Sequence, residues 1–196
     1  MTETKEIVDR YQRTQDGFDA VLAAVPAGRW DAASACDHWT VRDVTGHVIW
    51  GVEVLRRHAA GEEYTVRNGP AGSETPGELA GEDPLAEWRA TREATDAVVT
   101  DEFLDRPAPA WYLANRPDVT VTDYLALLTF DTLVHTWDVG SALGVDVTME
   151  ADIVAPSFSL ARLIISRTPG TFGPKVKPAP GADQQTRFLA FLGRSA

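Results

Sequence analysis

Three residues in two helix-like stretches have the types and spacing of a divalent-metal site. In TVRDVTGHVIWGVEVLRRHAA, His47 is flanked on its own side by Val44, Val48 and Gly51, so it points at a core. In VTDYLALLTFDTLVHTWDVGSALG, Asp131, His135 and Asp138 stand four and then three residues apart. At about 100° per residue they fall within a sector of roughly 60° on one helix face, with Tyr124 about two turns earlier. Their neighbours are apolar, from Leu127, Leu128 and Phe130 through Leu133 and Val134 to Trp137 and Val139. The polar stripe therefore rides in a largely buried helix, where a carboxylate needs a partner or a metal. An Asp-x-x-x-His pair supplies two ligands to one ion, and His47 is the candidate third. Two histidines and one carboxylate with a free position suit catalytic zinc and equally the facial triad of non-haem iron, and nickel and manganese are not separated by ligand type. Each half alone has a plain reading, as a hydrogen-bonded core histidine or an ordinary i,i+4 contact. Their coincidence on separate apolar helices is what points to a metal.

These positions require particular elements. Residues 4–25 place Ile7, Tyr11, Phe18, Val21, Leu22 and Val25 on one helical face and stop at Pro26. Thr40 is an N-cap for the His47 helix, Asp43 suits its N-terminus, and Gly61 is a stop. Pro84 opens a third helix running to about Thr100. Thr120 or Thr122 caps a fourth that ends at Gly144, and a fifth runs from about Met149 to Arg167. Residues 62–83, rich in Gly, Pro, Glu and Ser, predict a loop long enough to be functional or mobile. A connector over 105–120 holds three prolines. Within it, 108–114 has an extended pattern, and Trp111-Tyr112 could line a pocket. The tail closes on a short apolar segment, FLAFL. With no repeat and no strand pattern, the expectation is an all-α, four-helix bundle with long connections and a short C-terminal extension, in a single domain over 1–196.

The formal net charge of −11, with no basic stripe, argues against nucleic acid. No apolar run approaches the roughly 18 residues that span a bilayer, and the charged N-terminus has no apolar signal-peptide core. The single cysteine, Cys36, leaves no internal disulfide and fits a reducing cytosol. The expected setting is cytoplasmic. The expected partners are small molecules or a second copy of the chain, as monomer or homodimer, with neither nucleic acid nor membrane.

CDHWTVRDVTGHV and DTLVHTWDVGSALG resemble motifs of the DinB-like metalloprotein superfamily, nearest the branch of the mycothiol-dependent maleylpyruvate isomerase N-terminal domain. The ending FGPKVKPAPGADQQTRFLAFLGR is similar to that of an uncharacterised actinobacterial metal-binding branch, so the likeness covers nearly the whole chain. It implies a DinB-like bundle and a metal held by a histidine on the second helix and an acid-x-x-x-His pair on a later one, here His47, Asp131 and His135. The isomerase branch usually has Glu at Asp131, and the missing methylene bears on which metal binds. Before the Trp of the C-x-x-W loop the family tends to have a small residue, often Gly. Here it is His38, a candidate proton shuttle beside the metal-bearing helix. Asp138 matches the family's H-x-x-D and would orient a ligand or assist proton movement.

The resemblance implies an enzyme in which a divalent metal, zinc first, activates the thiol of mycothiol. The reaction would be transfer to, or isomerisation of, an electrophilic or unsaturated small molecule. The same ligands would serve a thiol-independent hydrolase, or a cyclase or rearrangement enzyme of a secondary pathway. The same scaffold would also serve a non-catalytic metal- or ligand-binding stress protein.

Overall fold

The computed structural model describes residues 3–108, 118–167 and 172–195. Among them form seven α-helices: α1 (Glu3–Ala23), α2 (Val41–Ala59), α3 (Pro84–Asp96), α4 (Asp101–Leu104), α5 (Val121–Leu143), α6 (Ala151–Ile164) and α7 (Gln184–Phe191). No strand forms among the described residues, so the chain is all-helical as expected. The third and fifth predicted helices stop short, at Asp96 and Ile164. The FLAFL segment is helical, because Asp183 caps α7 by accepting from the Thr186 N–H. Trp111-Tyr112 and most of the stretch with the extended pattern lie outside the described residues.

The helix carrying Asp131 and His135 is also the one most enclosed. It is apolar almost all round, and such a helix is stable only when neighbours cover it on several sides. α1, α2 and α6 pack against α5. α1 buries Tyr11, Phe18 and Leu22, and α7 closes the far side through Phe188 and Leu189, packed with Phe130, Val134 and Ile153. No helix among the described residues is long and apolar enough to cross a membrane.

The two helices that bear the candidate ligands start in the same way. The Thr40 hydroxyl accepts from the Asp43 N–H, and the Asp43 carboxylate accepts from the Thr40 N–H at 2.9 Å. Thr120 and Asp123 repeat this reciprocal cap at the start of α5, at 2.8 Å. Each cap residue also sits in an isolated antiparallel bridge, Ala33 with Thr40 and Pro107 with Thr120. Such a cap is worth about 0.5–2 kcal/mol, and the bridge fixes the direction of entry. Gly144 ends α5 in the left-handed conformation, φ 69°.

The 62–83 segment is tied down. It contains a 3₁₀ turn, Pro76–Ala80, that packs on α2. The Trp39 indole N–H donates to the Ser73 carbonyl (2.9 Å), the Trp50 indole N–H to the Val66 carbonyl (3.2 Å), and the Gly77 N–H to Asp43 Oδ1 (3.0 Å). The approach is so close that any Cβ at Gly46 would overlap the Pro76 carbonyl. Gly46→Ala is therefore expected to cost about 1–3 kcal/mol in urea unfolding. Gly17→Ala, where a Cβ meets nothing on exposed α1, should gain about 0.5–1 kcal/mol. Equal effects at the two sites would show that the segment does not bear on α2.

Candidate metal centre

His47 on α2 meets Asp131 and His135 on α5 where the two helices pack. Asp131 Oδ1 lies 3.4 Å from His47 Nε2 and 3.6 Å from His135 Nε2. The two rings face edge to face, 5.0 Å between centroids, and one ligand atom from each residue lies within 4.8 Å of the others. This is the one cluster of its kind among the described residues.

What lies behind the rings decides what they present in front. His47 Nδ1 is 2.6 Å from the Gly69 carbonyl, and His135 Nδ1 is 3.0 Å from Asp138 Oδ2. A carbonyl and a carboxylate can only accept, so each Nδ1 donates its proton outward. In the neutral rings each Nε2 then keeps a lone pair aimed toward Asp131. Two imidazole lone pairs and a carboxylate converging on one point form a donor set that a divalent cation satisfies, with the anchored Nδ1–H groups that metal-bound histidines require. The residues fit a metal.

Gly69 reaches His47 because it lacks a side chain: a Cβ there would overlap the Trp50 indole, whose ring lies nearly parallel to His47. Asp138 has no exposed surface. Arg194, just beyond α7, grips it with a two-pronged contact, Nε to Oδ1 and Nη2 to Oδ2, both 2.7 Å. Burial pushes the Asp138 carboxyl up, but the Arg194 charge and its hydrogen bonds, then His135, outweigh this and bring it down to about 2. Burial likewise opposes a charge on His47. The Asp131 carboxylate and the Gly69 carbonyl override it and raise that group's proton affinity. Burial pushes Asp131 up, while the charges of His47 and His135 and the hydrogen bond from His47 pull it below the ordinary carboxylate range. A field that favours a proton at this point favours a metal cation too.

A cavity of about 510 Å³ opens over the cluster, with Trp39, Trp50, Leu128 and Phe130 in its wall. Asp131 keeps 26% of its side chain exposed toward it, whereas both histidines are buried. Cys36 is in the wall as well. Its thiol is pushed up to about 12, first by burial and then by Asp138 and Asp131 against Arg194, so it is a poor nucleophile.

The two residues expected to assist catalysis are placed differently, and Asp138 stands where it orients a candidate ligand. Asp138 is absent from the cavity wall and acts on His135 from behind. His38 is exposed, outside the wall, and adopts φ 68°. That left-handed turn swings Trp39 inward, to 7% exposure. It is a conformation glycine adopts freely and an imidazole-bearing residue does not. Sequence reasoning missed Gly69 and Arg194. Gly69 acts through its backbone, which leaves no residue-type signal. Arg194 could have been sought as the counter-charge that a carboxylate in so apolar a helix demands.

An all-helical protein with a two-histidine, one-carboxylate cluster able to hold a divalent metal is the class that fold and site define. The chain belongs to the mycothiol maleylpyruvate isomerase N-terminal domain family, whose profile matches residues 11–140. That segment includes all three candidate ligands and Asp138, and Arg194 lies beyond it. Among similar proteins is Uncharacterized protein Rv0738 of Mycobacterium tuberculosis, 31% identical over 94% of this chain and 96% of its own length. Another is Uncharacterized protein Rv0036c of the same organism, 27% identical over 74% of this chain and 59% of its own length. No solved structure matches the chain.

Two outcomes follow from this geometry. Arg194→Met leaves the Asp138 charge buried and unpaired, so urea unfolding should show a loss of about 3–5 kcal/mol, most of it recovered in the Asp138→Asn/Arg194→Met double variant. His38→Gly relieves the left-handed turn at some cost in chain entropy, so thermal unfolding should show a net gain of about 0.5–1 kcal/mol. A loss there would assign the imidazole a structural contact that the turn does not show.

Proposed function

We propose that this protein is a cytoplasmic enzyme that holds a divalent metal, zinc first, through His47, Asp131 and His135. Held there, the metal would supply the Lewis acidity that activates the thiol of mycothiol for transfer to, or isomerisation of, an electrophilic or unsaturated small molecule. One observation carries the metal: two Nε2 lone pairs and a carboxylate converge at a cavity wall while both Nδ1 protons are anchored behind. Family membership supports the thiol. The mutual packing of α1, α2, α3 and α5 supports a DinB-like four-helix bundle as the scaffold.

A bound divalent cation supplies Lewis acidity that lowers the pKa of a thiol reaching its free side. The chain's own groups do the rest. Gly69 and Asp138 hold the two rings, and Arg194 keeps Asp138 ionised so that it accepts from His135. Trp39, Trp50 and Phe130 set apolar surface around the cluster, which strengthens the charge interactions within it. Cys36, held protonated, does not compete as a nucleophile.

Protein purified without a histidine tag should carry about one equivalent of zinc by elemental analysis, and Asp131→Ala should lose nearly all of it. Conjugation of a generic electrophile, assayed with mycothiol, with glutathione and with no thiol, should proceed with mycothiol alone. Turnover that is the same without any thiol rejects the thiol role. Full metal occupancy in Asp131→Ala rejects the acid ligand.

A further inference from the structure

The cavity over the cluster has a composition that selects among reactants. Its volume of about 510 Å³ is that of a small-molecule site. α5 contributes Tyr124, Leu128 and Phe130 to the wall, and the tethered 62–83 segment contributes Val66. Most polar atoms of the aromatic wall are already engaged. The Trp39 and Trp50 indoles donate to the Ser73 and Val66 carbonyls, and the Tyr124 hydroxyl donates to the Gly51 carbonyl at 3.0 Å. The Trp39 indole therefore adds carbon rather than a free donor to the wall.

Charge in the wall is as sparse. Two arginines line the cavity. Arg194 is committed to Asp138 by both prongs of its fork. Arg67 is exposed, and its guanidinium has no side-chain partner among the described residues. A planar guanidinium of this kind receives a carboxylate with two parallel hydrogen bonds. One uncommitted cation serves one anion. The second charge of a compact dicarboxylate would be left against apolar wall, which is costly.

We infer that the reactant housed here has an apolar, ring-bearing body and a single anionic group, the body against the aromatic wall and the anion on Arg67. This rests on the reading above, in which the free side of the metal is occupied by the thiol and is not available to the acid.

The probes are 2-naphthoate, its neutral isostere 2-naphthamide, and maleate. Each is titrated calorimetrically into the zinc-loaded and the metal-free protein, with zinc binding measured separately. 2-Naphthoate should bind both forms about tenfold more tightly than 2-naphthamide, the value of one charge-assisted contact at a partly exposed site. Arg67→Gln should erase that preference and leave 2-naphthamide binding unchanged. Maleate should bind more weakly than 2-naphthoate. Tighter binding of maleate, or a preference that survives Arg67→Gln, overturns the inference. A preference confined to the zinc-loaded form and indifferent to Arg67 places the acid on the metal, and also overturns it. Naphthoate preference in a protein that takes up no zinc sustains the inference and defeats the metal reading. Full zinc binding without the preference does the reverse.

Discussion

The carboxylate of Asp138 and the guanidinium of Arg194 are bound to each other where neither reaches water freely, and much of the molecule is arranged around that contact. A buried ion pair of this kind adds little net stability over an apolar pair of the same shape. What it secures here is an electrical state. With Arg194 in place Asp138 stays ionised, and an ionised carboxylate can only accept, so the His135 proton is held on Nδ1. The same contact anchors the chain just beyond α7 to α5, across the aromatic cluster of Phe130, Phe158 and Phe188. One interaction thus fixes a ring orientation, a tautomer and the docking of a terminal segment.

The partner ring is held by different means. His47 leans on a neutral carbonyl whose approach depends on the absence of a side chain at Gly69. Behind His135 stands an ionised carboxylate, behind His47 a neutral carbonyl, and each fixes its ring through Nδ1. Asp131 stands between them, half open to the cavity. The Asp138–Arg194 pair carries no net charge, so it orients the cluster without changing the charge that a reactant meets.

Much of this was legible in the sequence. Apolar periodicity placed His47, Asp131, His135 and Tyr124 on inward faces, because a helix presents every third or fourth residue to the same neighbour. The cap at Thr40 was legible from its place before an apolar-periodic run, and Thr120 was one of two threonines the sequence offered for the other cap, whose reciprocal Asp contact the structure adds. The 62–83 segment was not. Its composition is that of a loop, and its order comes from contacts that Trp39, Asp43, His47 and Trp50 make to its backbone atoms. α7 was too short for its period to stand out. Asp138 was placed correctly on the stripe, but its burial and its dependence on Arg194 are tertiary facts. His38 carried the signal of a titratable group near a metal site, while its φ reveals a turn that the residue type conceals.

The centre is assembled from pieces far apart along the chain: α2, Gly69, α5 and the segment after α7. Helices close locally and early, whereas contacts between distant segments wait for the loops between them to close. The three candidate ligands can come together once α2 and α5 have packed. The support behind His135 arrives only when Arg194 docks, 56 residues beyond Asp138 in the sequence. A cation captured before that moment would meet one well-aimed imidazole and one still free to turn. Secure retention of metal would then mark the last step of folding, the arrival of the tail.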